Sequence, residues 1–273
     1  MVSRLSEKFD LLKASGKKAL IPFITAGDPE PGFTVPLMHA MVEVGADIIE
    51  LGVPFSDPMA DGPVIQKASE RSLLHNTTVR DVISMVAEFR KTDQVTPVVL
   101  MGYLNPVECM GYQIFAEQAG KAGVDGLLTV DMPPEEAADF IPLLRQNGVD
   151  PIFLLAPNST EARIKKVSAM ASGYLYYVSL KGITGAGHLD LQSVAVKLEQ
   201  IKKVTDLPVG VGFGVKNGEI AAAIGQLADG VVVGSALVSK IADNLGKPQI
   251  AHQEIINLLS TMRKAMDENE EAQ

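Results

Sequence analysis

Short apolar runs alternate with helix-period stretches along the whole chain. ALIPFIT (19–25) is followed by FTVPLMHAMVEVG, whose apolar positions recur at helical spacing. Further apolar runs follow at ADIIELG (46–52), PVVLMGY (97–103), DGLLTVD (125–131), DPIFLLA (150–156), YLYYVSL (174–180), LPVGVGFG (207–214) and DGVVVGS (229–235). Each is short, bounded by Gly, Pro or Asp, and apolar on both alternations, the pattern of strands buried on both faces. VIQKASERSLLHN, VRDVISMVAEFRK and VECMGYQIFAEQAG read as helices between them. Eight strands alternating with helices close more naturally into an α/β (β/α)8 TIM barrel than into an open sheet. The spacing predicts an extra N-terminal helix over 3–15 plugging the barrel bottom and an extra outer helix over 249–266 with one apolar stripe. DENEEAQ reads as a solvated acidic tail, and no linker or low-complexity segment divides residues 1–273, so a single TIM-barrel domain is expected.

Composition narrows the partners. Apolar residues make up 47% and charged residues 21%, enough for a large core. The net charge of −9 without a long basic run argues against nucleic acid and anionic membranes. A local anion site remains compatible with it. The one cysteine, Cys109, excludes an intrachain disulfide and suits a reduced cytoplasmic location; in its helical stretch it reads as a packed bystander. No apolar run has membrane-spanning length, and MVSRLSEKFD is not a signal peptide. His39, His75, His188 and His252 stand at no metal-ligand spacing, so no metal site is expected.

The chemistry concentrates where strands end. In such barrels the strand C-termini hold the active site. Glu50 lies among Ile48, Ile49 and Leu51, near the end of the second strand. One reading is a carboxylate satisfied by backbone N–H groups. The other is a desolvated acid whose raised pKa lets it give and take protons near neutrality. Asp61, beyond the loop PFSDPMAD, reads either as a helix cap ahead of Pro63 or as a second acid facing the pocket. Asp131 reads as a cap. GVGFG (210–214), GS (234–235) and KGITGAG (181–187) follow strands seven, eight and six. Their glycines admit an anion close to backbone amides, and the helix predicted from about Ser235 adds its positive end. Lys181 as a Schiff-base nucleophile is disfavoured, because water in a glycine-rich loop keeps it protonated.

The chain resembles the tryptophan synthase alpha subunit family over essentially its whole length. The resemblance rests on IPFITAGDP (21–29), ELGVPFSDPMADGP (50–63), MGYLNP (101–106), DMPPEE (131–136), KGITGAG (181–187), VGFGV (211–215) and VVVGSALV (231–238). The block from Glu50 to Pro63 is specific; the glycine pairs are shared with other phosphate-binding barrels. The resemblance implies a lyase of L-tryptophan biosynthesis that cleaves indole-3-glycerol phosphate to indole and glyceraldehyde 3-phosphate. It implies Glu50 as catalytic acid/base and Asp61 as its partner. It implies phosphate contacts at Gly185, Gly214, Gly234 and Ser235, an indole site near Phe23, Tyr103, Leu128 and Tyr176, and a closing contact from Thr184. It also implies a beta-subunit partner in an alpha2-beta2 tetramer, with pyridoxal phosphate only in that partner and no cofactor in this chain. Leu180 stands where many relatives carry an arginine, which puts the manner of loop closure in doubt. A stand-alone lyase, a regulatory subunit and another phosphate-binding barrel enzyme, such as a phosphoribosyl isomerase, remain as alternatives at this level.

Overall fold

A computed structural model describes residues 3–179, 190–212 and 214–271. Its eight strands are β1 (Ala19–Thr25), β2 (Ile49–Gly52), β3 (Val98–Gly102), β4 (Gly126–Thr129), β5 (Asp150–Leu155), β6 (Leu175–Val178), β7 (Val209–Gly212) and β8 (Gly230–Val233). They form a closed parallel barrel in chain order, with β8 pairing back onto β1 at Ala19↔Gly230. The TIM-barrel expectation therefore holds. β1 spans its whole apolar run, and the other seven strands are shorter than theirs.

Strand alternation assigns each side chain to a layer. Leu20, Ile49, Leu51, Val98, Leu100, Val209, Val211 and Val231 point outward into a core shared with the helices. Ile21, Ile48, Val99, Leu128, Ile152, Tyr174, Tyr176 and Val232 point inward and fill the barrel. The parity that sends Ile48 inward and Ile49 outward sends Glu50 inward.

The first two helices are α1 (Arg4–Ala14) and α2 (Pro31–Glu43). Leu5, Phe9 and Leu12 of α1 share the inner cluster, so this helix closes the barrel bottom as expected. Phe9 meets Tyr174 with ring centroids 5.7 Å apart. Arg4 and Arg90 each donate to one oxygen of buried Asp125 at 2.6 Å, which fastens α1.

The helices that follow are α3 (Pro63–Leu73), α4 (Val79–Phe89), α5 (Leu104–Met110), α6 (Tyr112–Ala122), α7 (Phe140–Gln146), α8 (Glu161–Met170), α9 (Leu191–Lys202), α10 (Gly218–Gly225), α11 (Ser235–Asp243) and α12 (Pro248–Glu271). Three sequence expectations change here. VECMGYQIFAEQAG is two helices, not one: Gly111 takes φ 90°, a left-handed conformation that ends α5 and lets the Tyr112 ring stack on Phe140 at 4.4 Å. Cys109 then lies exposed on α5 rather than packed. The acidic tail is partly helical, because α12 continues past residue 266 and Asp267 accepts an ion pair from Arg263 at 2.7 Å. As expected, α12 lays one apolar stripe on the barrel exterior through Ala251, Ile255, Leu259, Met262 and Met266.

Candidate active site

A cavity of about 670 Å³ opens at the C-terminal ends of the strands. Its wall includes Phe23, Glu50, Met101, Val130, Leu154, Tyr176 and Val178 from the barrel, and Asp61, Gly214, Gly234 and Ser235 from the loops above. The barrel members share one parity: each stands two positions above an inward residue of the barrel interior.

Glu50 is fully buried. Its partner is the Tyr174 hydroxyl, which donates to Oε1, rather than backbone N–H groups. Oε2 has no partner among the described residues. Burial pushes the carboxyl pKa up to about 8, opposed by the Tyr174 hydrogen bond. A carboxyl so placed exists in both protonation states near neutral pH.

Asp61 is not a cap. The N-cap of α3 is Gly62, with Pro63 in the first turn, and no side chain caps it. Instead Asp61 Oδ2 accepts from the Tyr103 hydroxyl at 3.0 Å, and that hydroxyl accepts from the Ala60 N–H at 2.9 Å. Partial burial raises the Asp61 pKa against the pull of the Tyr103 hydrogen bond. Gln66 Nε2 donates to the Asp61 carbonyl at 2.8 Å, fixing the loop onto α3. Asp131 is a cap, but for a helix earlier in the chain: its Oδ1 accepts from the Leu104 N–H of α5 at 2.8 Å.

At the opposite wall, Gly214 has φ 79°, and a side chain built there would meet nothing within 4 Å. Gly234 precedes α11, which starts at Ser235 as the sequence indicates and has no side-chain cap. Its first turn faces the cavity through Gly234, Ser235 and Ala236. Uncapped helix N–H groups beside two glycines suit an anionic group.

The remaining sequence candidates divide. Phe23 and Tyr176 line the cavity. Tyr103 lines a much smaller adjoining space behind Asp61, with Thr25, Ser69 and Gly102. Leu128 lies below, fully buried in the barrel interior. Leu180, Lys181, Thr184 and Gly185 lie outside the described residues. Tyr174 was not singled out by sequence reasoning, although YLYY places two tyrosines at inward parity and so contains the signal. Gly52 and Gly212 also went unrecognised for what they do: a side chain at Gly52 would come within 2.6 Å of Phe23 Cζ, and one at Gly212 would overlap the Tyr176 ring and hydroxyl. These strand glycines make room for the aromatic walls.

Among the described residues no group of three or more His, Cys, Asp or Glu side chains is placed to hold a metal ion, and no helix is long and apolar enough to cross a membrane.

The geometry can be set beside known proteins. A family model described as "Tryptophan synthase alpha chain" matches residues 9–267. The chain belongs to the tryptophan synthase alpha chain family. It is 65% identical to the tryptophan synthase alpha chain of Methylococcus capsulatus over 97% of this chain and 100% of that one. The corresponding protein of Thioalkalivibrio sulfidiphilus is 62% identical over the same shares. The fold resembles the crystal structure of tryptophan synthase subunit alpha from Legionella pneumophila with a TM-score of 0.91, at 46% identity over 98% of this chain and 100% of that one. At that coverage, the likeness to the alpha chain family extends over the whole barrel.

Proposed function

We propose that Glu50 is the proton shuttle of this lyase and Asp61 the group that holds the indole nitrogen. The chain cleaves indole-3-glycerol phosphate to indole and glyceraldehyde 3-phosphate in tryptophan biosynthesis, the alpha reaction of its family. The observation that supports these residue roles is the Glu50 carboxyl: one oxygen held by Tyr174, the other unpartnered, in the wall of a cavity with Asp61.

The chemistry follows from the bond to be broken. Protonated Glu50 delivers a proton to indole C3, leaving positive charge toward the ring nitrogen. The Asp61 carboxylate, hydrogen-bonded to the ring N–H, stabilises that charge where it develops. Glu50, now a carboxylate, takes the proton from the hydroxyl next to C3. The C–O bond becomes a carbonyl, the C3–carbon bond breaks, and its electrons return to the ring. One proton enters and one leaves, so the step balances without a further reactant. The phosphate is placed at Gly214, Gly234 and Ser235, with Gly185 and Thr184 as further contacts of the closed site; Phe23 and Tyr176 flank the indole, Tyr103 positions Asp61, and Leu128 forms the floor.

Family membership brings a beta-subunit partner. We infer an alpha2-beta2 assembly, with pyridoxal phosphate confined to the beta chain. A stand-alone lyase is the alternative. Incubation with indole-3-glycerol phosphate and a colour assay for indole, for wild type and Glu50→Gln, with and without a cognate beta subunit, tests both parts. Equal indole release by the two chains would remove Glu50 from the mechanism.

A further inference from the structure

The cavity has an unusual charge balance for a phosphate ester. Its described walls carry two acids, Glu50 and Asp61, and one cationic side chain, Lys216. The chain as a whole carries −9. A phosphate monoester brings about −1.5 to −2 charges at neutral pH. A helix N-terminus offers roughly half a positive charge. The α11 terminus alone therefore leaves most of the ligand's charge uncompensated, in a cavity that already holds carboxyl groups.

Lys216 stands where the deficit lies. It follows Gly214 by two residues on the loop between β7 and α10, and its neighbours Val215 and Ile220 also line the cavity. The adjoining wall comes from α11, which follows β8, the strand next to β7. Ser235 and Ser239, one turn apart, both line the cavity, so one face of α11 looks into it. Lys216 thus sits at the glycine and serine end, whereas Glu50 rises from β2, three strands away. Lys216 is exposed at the mouth, and among the described residues it forms no ion pair or side-chain hydrogen bond. Other lysines of the chain, such as Lys166 and Lys240, are taken up by acids on neighbouring segments, Glu135 before α7 and Glu254 on α12. A solvated surface lysine would need no place in a cavity wall. An ammonium on a flexible stem, with no acid of its own, suits capture of an anion that arrives from solvent.

We infer that Lys216 is a positioning residue for the substrate phosphate: it supplies the charge that the backbone amides lack, and it acts on binding rather than on the breaking bond. The inference rests on the reading of Gly214, Gly234 and Ser235 as the phosphate site. It predicts that Lys216→Gln weakens inorganic phosphate and glycerol 3-phosphate about fivefold to thirtyfold, between the range of exposed ion pairs and that of hydrogen bonds to charged groups. KM for the phosphate substrate should rise with it, and kcat should fall much less. Indole, which is neutral, should bind both chains alike. Lys216→Arg should recover most of the loss, and the gap between wild type and Lys216→Gln should narrow as salt is raised.

The experiment is calorimetric titration of the full chain with inorganic phosphate, glycerol 3-phosphate and indole, alongside steady-state kinetics. Gly234→Asp, which puts a carboxylate among the amides, is the companion variant. Loss of phosphate binding in Gly234→Asp with full retention in Lys216→Gln overturns the role of Lys216 and leaves the phosphate site standing. Retention in both overturns the site as well. Equal weakening of phosphate and indole in Lys216→Gln, not rescued by arginine, would make Lys216 merely structural and also overturn the inference.

Discussion

Glu50 has two carboxyl oxygens in different surroundings, and each makes a prediction. Removing the acid while keeping the acceptor for Tyr174, as Glu50→Gln does, should lower kcat by at least about 10²-fold, a typical general acid–base contribution. The same variant tests the pKa through stability. The ordinary value of 4.5 is raised to about 8 in the fold. Between those values the folded chain holds a proton that the unfolded chain has released. The contribution of Glu50 to stability is therefore present at low pH and lost as pH rises through the window, at up to about 1.4 kcal/mol per pH unit. Glutamine does not titrate. Thermal melts should show Glu50→Gln gaining on wild type from about pH 5 to about pH 8; a flat difference would mean that Glu50 is ionised throughout. Tyr174→Phe probes the other oxygen. The hydroxyl favours the carboxylate, so its loss should move the basic limb of kcat/KM to higher pH. An unmoved limb would separate Tyr174 from the titration. Sequence could place both acids near strand ends but not choose between their readings. Asp61 ahead of Pro63 has the look of a cap until the fold brings Tyr103 to it from just beyond β3, a contact between residues far apart in the chain.

Most of the element pattern was legible, because strands buried on both faces leave continuous apolar runs and barrels repeat them eight times. The failures have local causes. Gly111 breaks one helical pattern because apolar periodicity carries no record of a positive φ. The glycines of GVGFG read as anion-binding residues and Gly52 as the boundary of a strand, whereas Gly212 and Gly52 are needed for space. Gly212 lies on β7 against β6, with Val178↔Gly212 in register, under the Tyr176 ring. Its φ is not in the left-handed region, so the argument is steric alone. Gly212→Ala should destabilise the barrel by about 1–3 kcal/mol, the usual range for overpacking, and should displace Tyr176 from the cavity wall, raising KM. In a Tyr176→Ala background the added methyl has room. Denaturant midpoints of the four chains should show the two substitutions failing to add, by about 0.5–3 kcal/mol. Additive losses would mean that the clash lies elsewhere than with Tyr176.

At the scale of the whole molecule, barrel closure followed from the count of strands, but a partner chain could not follow from periodicity or composition. It came through family likeness. The structure adds a physical route by which such a partner could act. The loop over 53–62 carries Asp61 at one end and Met59 at its exposed crest, with 82% of that side chain's residue surface open to solvent. Asp61 is fixed from below by Tyr103 and Gln66, so a body resting on the crest presses on the segment that holds the acid. Indole is small, neutral and apolar, and direct delivery to the next enzyme keeps it from leaking across membranes. If docking of a beta subunit favours the closed loop, affinity and activity are linked. A non-cleavable substrate analogue should tighten subunit association, and association should tighten analogue binding by the same factor, because coupling free energies are reciprocal. A coupling of about 1–3 kcal/mol, or roughly fivefold to 150-fold in Kd, is typical. Calorimetric titration of the chain with a cognate beta subunit, with and without the analogue, measures it in one direction; titration of the analogue into the free and complexed chain measures it in the other. Met59→Ser should reduce both effects together if the crest transmits the coupling. Unequal factors in the two directions would expose a titration that had not reached equilibrium. Identical dissociation constants with and without the analogue would sink the coupling, and failure to bind any cognate beta subunit would leave the stand-alone lyase.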